Sequence, residues 1–556
     1  MVGGKVATPA DWTLPDSGGI YLRGSVIELL PDPLSPLFAT LALPEWNAAM
    51  AELGRRLGIA FAIPDDMLTT INGYAYAHID VHLTAAQNLS LLKLLPRLAR
   101  MLRRSRPRWE GEARPAYARV VARWDTTDLK AAPADQLLRG MREIVAAAAR
   151  HYLVIQTGVL MAAYLTEALF ATAYDRVIKR PGDPPALTFL LGFASTPIRA
   201  EQSLHDLATW VRGQDRLAAY LAQAPSGEIA AALDGPAPAD VVERDWRQFR
   251  RRLLDHLARF GHTIYDLDFA KEVPADHPAP VLETLKFFLS GQGADPYERQ
   301  RTASARREQA TRLMLTTLGN PRRLLFQVLL RPAQEYAPLR EDALADAGLG
   351  WPALRRLAAE LGRRLTAAGA IERADDVHWL TSAELREAAI ALDAGRPPAK
   401  RRDVVAERSA RWMAQRRVAP PASLPLREGA SAPGTAMSMW MPTKTRQSEG
   451  NVIRGIGASP GWAVGTARVL RGPEESGQLQ PGDILVARIT TPAWTPLFAL
   501  AAGVVTDVGG PLRHSSIVAR EYHIPAVLGT GVATERLRSG QRIVLDGDAG
   551  TVEPHT

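Results

Sequence analysis

A multidomain α+β protein is the fold class the sequence predicts: a large, mainly helical part followed by a compact α/β domain. Three observations predict it. Across residues 83–414 apolar residues recur at spacings of three and four, as at Leu91, Leu94, Leu95, Leu98 and Leu102, which gives helices one buried face. Across 420–451 that periodicity stops and Pro, Ser, Gly, Ala and Thr take over. In the last hundred residues short apolar runs alternate with turn residues and helix starts, the pattern of an α/β unit.

Taken in order, residues 1–82 read as an irregular lead-in segment. The prolines in Leu30-Pro31-Asp32-Pro33-Leu34-Ser35-Pro36 disfavour a helix and favour extended or turn structure. Ile71-Asn72-Gly73-Tyr74-Ala75-Tyr76 reads as a short strand or turn. His78 and His82 have the i, i+4 spacing of a helical metal pair, but they lack the Glu partner and have β-branched neighbours, so no metal is expected. Helical stripes then follow over residues 137–174, 202–223, 241–260, 281–289, 295–330 and 351–365, broken by runs such as Arg180-Pro181-Gly182-Asp183-Pro184-Pro185. They share no fixed period, which excludes a solenoid. A helical body this large has room to enclose a sizeable apolar ligand. Near its end Thr381-Ser382-Ala383-Glu384 forms a capping box, and Asp376 reads as a turn residue. Residues 420–451 read as a flexible linker with a coil span of roughly 30 Å. Beyond it, residues 463–470, 483–487, 503–508, 542–546 and 550–553 read as strands, with helices after Thr491-Pro492 and after Gly510. The expected domains are therefore 1–419, mainly helical, and 452–556, α/β, joined by 420–451.

Composition removes several function classes. With 556 residues and 46% hydrophobic content the chain can bury full cores. It has no cysteine, which excludes disulfides, thiolate metal sites and Cys nucleophiles. The net charge of +8 is spread over helices and mixed with acids, so a nucleic-acid partner is not expected. The apolar stretch 146–173 is interrupted by Arg150, His151 and Glu167 and reads as a buried helix, so no membrane partner is expected either. The N-terminus lacks a basic-then-apolar signal pattern, which leaves the cytoplasm as the expected compartment. Gly457-Ala458-Ser459-Pro460-Gly461 has the spacing of a nucleophile elbow, but Pro460 has no N–H for an oxyanion hole. No P-loop sequence is present.

The residues with chemistry lie in 509–520: Gly509-Gly510-Pro511-Leu512-Arg513-His514-Ser515-Ser516-Ile517-Val518-Ala519-Arg520. A glycine pair after an apolar strand permits a sharp turn and close backbone approach. His514 then falls in the first turn of a helix, where unpaired N–H groups favour an anion and keep the imidazole neutral. A neutral imidazole there can attack a phosphoryl group and hold it. The alternative is a histidine that only caps or packs.

The run from Gly509 to Ile524-Pro525-Ala526 closely resembles the phosphohistidine signature of the phosphoenolpyruvate-utilising enzymes, which include the dikinases and the rifampin phosphotransferases. Gly509, Gly510, His514, Ser515, Ser516 and Arg520 match; Leu512 stands where dikinase-like members usually have a hydroxyl residue. Weaker matches to the central substrate-binding part of rifampin phosphotransferase-like proteins lie at Gly24-Ser25-Val26 through Phe38, at Phe260-Gly261-His262 with Asp266-Leu267-Asp268, and from Arg340 to Leu385. The resemblance implies that the C-terminal domain is a swivelling phosphohistidine domain and that His514 carries a phosphoryl group, with Arg513 and Arg520 as candidate phosphate stabilisers. It implies a substrate-binding role for the helical domain, where His262, Asp268 and Glu335 are candidates on the acceptor side. ATP and Mg2+ are expected on an ATP-grasp nucleotide domain, which is not seen in this sequence and is expected on another chain or removed from this one; no cofactor or metal is assigned to the chain itself. The expected partners are that nucleotide domain and a small-molecule acceptor, with AMP and phosphate as further products. The expected function is transfer to a hydroxyl. The alternatives are a ligase that activates a carboxylate as an acyl phosphate, and a non-enzymatic ligand-binding or regulatory protein.

Overall fold

The computed structural model describes residues 12–15, 19–58, 63–79, 95–291, 293–418, 420–425, 450–490, 494–510 and 514–555. The helices used below are α1 (Pro36–Leu57), α2 (Ala134–Val154), α3 (Met161–Ala173), α4 (Thr196–Arg212), α5 (Glu243–Phe260), α6 (Pro296–Thr317), α7 (Asn320–Ala345), α8 (Trp351–Ala367), α9 (Ser382–Asp393), α10 (Arg402–Gln415) and α11 (His514–Glu521). The strands are β1 (Ile20–Leu22), β2 (Leu68–Ile71), β3 (Tyr74–Ile79), β4 (Ser423–Leu424), β5 (Ile453–Arg454), β6 (Ile456–Ser459), β7 (Trp462–Leu470), β8 (Ile484–Ala487), β9 (Gly503–Thr506), β10 (Ala526–Leu528), β11 (Arg542–Asp546) and β12 (Thr551–Pro554). Two compact units result: residues 1–158, 266–272 and 347–442 form one, and residues 159–265, 273–346 and 443–556 form the other.

In the first unit α1 packs along α2, and α8 and α9 pack on α2 as well. A sheet of order β2-β3-β1-β4 completes it, antiparallel throughout. Its hairpin turns at Asn72 (φ 46°) and Gly73 (φ 79°), the Asn-Gly pairing that a two-residue type I′ turn demands. The expectation that residues 1–82 are irregular does not hold for the described part, which contains α1 and three strands. The prolines misled because position decides their effect. Pro36 occupies the first turn of α1, where a missing N–H costs nothing, and the Ser35 hydroxyl caps the start by accepting from Phe38 N–H at 3.2 Å. Pro44 lies inside the same helix, which continues through it. At the other end of the unit Thr381 and Glu384 make the expected capping box, with Thr381 N–H donating to Glu384 Oε2 at 2.8 Å. Asp376 accepts from Arg373 N–H at 2.9 Å, a turn role as read.

The second unit joins α3–α7 to an eight-stranded sheet of order β5-β12-β11-β7-β8-β9-β10-β6. Strands β7, β8, β9 and β10 run parallel, and the remaining pairings are antiparallel. β8 and β9 are buried along their whole length, as the continuous apolar runs of a covered parallel sheet require. Among the helices, Phe170, Tyr174, Phe189 and Phe326 belong to one hydrophobic core and Trp246, Phe249 and Leu285 to another. The helical run 134–178 is long and apolar enough to cross a membrane by length and composition, with half of its most apolar window buried in the protein. It carries Glu167, whose Oε2 accepts from Arg340 Nη1 at 3.0 Å. The expected flexible linker falls mostly on residues 426–449, outside the described residues.

Candidate functional site

The site begins where β9 ends. Thr506 Oγ1 donates to Val508 O at 2.8 Å, and Asp507 Oδ1 accepts from Thr530 Oγ1 at 2.8 Å, which fixes the strand exit. At Gly509 the backbone passes so close to its neighbours that a Cβ would lie 3.0 Å from Leu528 Cβ and 3.2 Å from Thr506 Oγ1. Pro511, Leu512 and Arg513 are outside the described residues, so Arg513 has no assigned geometry. His514 is the first residue of α11; its backbone opens the helix as expected, and its side chain lies outside the described atoms.

The two serines after it are buried anchors. Thr490 Oγ1, on the segment that leaves β8, donates to Ser515 Oγ at 2.7 Å, and Ser516 Oγ donates to Gly510 O. Ser515 and Ser516 are 2% and 0% exposed, so neither is free to act in solvent. They tie the start of α11 to two strand ends and so fix the direction in which its free N–H groups point. Val518 and Ala519 bury the other face of α11 against Val504, Ala526 and Leu528.

Arg520 is buried, and its Nη1 donates to Ala458 O at 3.1 Å. Six residues on from His514 it is raised by roughly 9 Å and turned by about 240° on an α-helix, so it faces away from the helix start. Burial, aided by the like charge of Arg340 and opposed by Glu167, brings its guanidinium down to about 10. The acceptor-side candidates are divided between the two units. Asp268 belongs to the first unit, whereas His262 and Glu335 belong to the second. Asp268 accepts from Ser35 N–H at 2.6 Å, from Ser35 Oγ at 2.9 Å and from Ala270 N–H at 3.0 Å, which ties it to the turn before α1. His262 Nε2 lies 3.8 Å from Asp346 Oδ1, and Glu335 is on the exposed face of α7.

Sequence reasoning did not identify two further features. One is Thr490, to which no local sequence pattern assigns a role. The other is an apolar cavity of about 100 Å³ inside the first unit, lined by Leu30, Phe38, Trp46, Met50, Met67 and Gln156 among others. Trp46 is 4% exposed, and its Nε1 has no hydrogen-bond partner among the described residues. A buried indole N–H without a partner is a donor that an acceptor oxygen can satisfy. No helical periodicity could have announced it, because its walls come from α1, α2, β2, β3 and Leu267.

Among the described residues no cluster of His, Asp and Glu is suited to a metal. The family model for the PEP-utilising enzyme mobile domain matches residues 479–550, and that for the rifampicin phosphotransferase fourth domain matches residues 155–341. A rifampicin phosphotransferase of Streptomyces sp is 32% identical over 394 residues, 68% of this chain and 42% of that protein. The uncharacterized phosphotransferase YvkC of Bacillus subtilis is 29% identical over 58% of this chain and 39% of itself. The prodigiosin synthesizing transferase PigC of Serratia marcescens is 50% identical over 113 residues, 20% of this chain and 13% of that protein. A solution structure of Enzyme I overlaps 43% of this chain and 68% of its own at 15% identity, with a TM-score of 0.14 that is too low to establish a shared fold. The chain spans less than half the length of the relatives it matches. One model falls on the helical region and the other around His514, so the chain carries a PEP-utilising enzyme mobile domain and a rifampicin phosphotransferase fourth domain, and it is similar to a rifampicin phosphotransferase over two-thirds of its own length.

Proposed function

We propose that this chain supplies the phosphohistidine carrier and the acceptor-binding body of a phosphotransferase. His514 takes a phosphoryl group that originates in ATP on an ATP-grasp domain and passes it to a hydroxyl of a mainly apolar small molecule. In the second step the P–N bond to His514 breaks as a P–O bond forms, and the hydroxyl proton passes to a base or to water. Overall, ATP, water and acceptor become AMP, phosphate and a phosphoester. Such transfer depends on in-line placement and charge neutralisation more than on covalent help. The observation that carries the reading is the start of α11. The motif histidine opens a helix whose next two residues are pinned by Thr490 and Gly510, inside the stretch matched by the mobile-domain model.

The cavity beside Trp46 is the proposed seat of the acceptor's apolar part, with an acceptor oxygen on the indole N–H. The test is incubation of the chain with ATP, Mg2+ and the nucleotide domain of a relative, followed by detection of acid-labile, base-stable phosphate. His514→Ala should remove that label completely without changing the melting temperature. A variant that is still labelled overturns the carrier role. The identity of 50% with a prodigiosin synthesizing transferase over 113 residues favours a second reading, in which the same carrier activates a carboxylate for condensation. A phosphoester product supports the first reading and a condensed product the second.

A further inference from the structure

The end of α11 opposite His514 is built differently from its start. Glu521 is partly buried, and its Oε1 accepts from Gly192 N–H at 3.2 Å. The Tyr522 ring lies under the guanidinium of Arg299, 4.1 Å from Cζ to ring centroid, and Arg299 also pairs with Glu201 of α4. Arg307 of α6 donates to Leu191 O at 2.7 Å and lies 3.9 Å over the Phe193 ring, with its charge felt at Glu521. From α7, Arg340 pairs with Glu341 at 3.1 Å and with Glu167 of α3 at 3.0 Å, and both Arg340 and Glu167 act on Arg520. His523 is exposed beside the cluster. Three consecutive residues of the carrier module thus dock into a charged cleft on the helical body of the same unit. A small cavity of about 40 Å³ remains between Phe193, Ile198, Pro338, Ile517 and Val518.

We propose that Arg520-Glu521-Tyr522 is a latch that holds the phosphohistidine module on the helical body, and that uptake of one proton by Glu521 closes it. The inference rests on the reading that the module is a carrier that must leave this position to be recharged. The physical basis is desolvation. Docking strips water from the Glu521 carboxylate and returns one hydrogen bond from Gly192, while Arg299 and Arg307 attract it and Glu341 repels it. Burial is the largest of these effects and raises its pKa from the ordinary 4.5 to about 7. A carboxyl whose pKa is higher when docked favours docking fully below 4.5, loses that contribution as pH rises towards 7, and changes no further above it. Between pH 5.5 and 8.5 the docking equilibrium should fall roughly thirtyfold. Near neutrality the docked Glu521 is about half protonated, so the docking equilibrium responds to small changes of pH there.

The chain contains no cysteine, so two introduced cysteines can be labelled without background. Glu553→Cys on β12 and Glu228→Cys on the helical body are both at exposed positions of the full chain. Spin-label distances between them should show a docked population at pH 5.5 and a second population that grows as pH rises towards 7 and levels off above it. Adding Glu521→Gln, which is neutral at every pH, should keep the docked population unchanged across that range. Distances that do not respond to pH, or an equal response in Glu521→Gln, overturn the latch. The same labelled protein reports on the carrier through its acid-labile phosphate. Phosphorylation of His514 without a pH response removes the latch and leaves the carrier standing. A pH response that vanishes in Glu521→Gln, without phosphorylation, supports the latch and removes the carrier.

Discussion

At the scale of single residues, the start of α11 depends on hydroxyls buried away from solvent. Thr490 donates to Ser515 at 2.7 Å, and the return contact from Ser515 to Thr490 O is 3.5 Å, at the limit of a hydrogen bond. Thr490→Val keeps the shape and removes the donor, leaving Ser515 Oγ buried with that one weak partner. The cost should be about 1–2 kcal/mol, seen as a lower melting temperature of the C-terminal module. It should also slow labelling of His514, because the start of α11 loses its tie to the segment after β8; full-rate labelling at a reduced melting temperature would make Thr490 a structural residue alone. Arg520 separates in the opposite way. It donates to Ala458 O and feels the buried charges of Glu167 and Arg340, so Arg520→Ala should destabilise the module before it affects transfer. Unchanged stability with slowed transfer would return Arg520 to the role of phosphate stabiliser.

At the scale of elements, caps decide where helices start, and one of them carries a pH signature. Glu384 accepts from Thr381 N–H at 2.8 Å and pairs with Arg408 of α10, joining the start of α9 to a second helix. Burial alone would raise its pKa, but the hydrogen bonds from Arg408 and Thr381 outweigh it and hold it at about 2. A carboxylate whose pKa is lowered by folding stabilises above its ordinary 4.5 and loses that contribution as pH falls towards 2. Glu384→Gln should therefore have a lower melting temperature than the wild type at pH 6, and the gap should close by about pH 2.5. A constant gap would mean that the side chain acts by shape. The same local logic explains what was legible in the sequence. The capping box, the β7, β8, β9 and β11 strands and the helix at His514 depend on residues a few positions apart, and each was readable. α1 was not, because the rule that proline breaks helices fails at the first turn, where Pro36 sits behind the Ser35 cap, and α1 also runs on through Pro44. Glu521 and Gly192 are 329 residues apart, and no local pattern links a motif glutamate to that amide.

At the scale of the whole molecule, the chain forms two compact units that are not continuous in sequence. The apolar cavity with Trp46 is built wholly from residues of the first unit, and α11 with its anchors belongs wholly to the second. Sequence order hides this, because the first unit closes only when β4 (Ser423–Leu424) returns to pair with β1. If the cavity seats the acceptor and α11 carries the phosphoryl group, the two half-reactions must be separable by mutation. Ala77 on β3 is 5% exposed and lines the cavity, so Ala77→Leu places a larger side chain in the void. The overpacking should cost about 1–3 kcal/mol, which a domain of this size tolerates. This variant should acquire phosphate on His514 at the wild-type rate and fail to pass it on, so that phosphohistidine accumulates when acceptor is added. Wild-type transfer by Ala77→Leu would place the acceptor elsewhere. Loss of the first half-reaction as well would mean that the cavity supports the fold and seats no substrate.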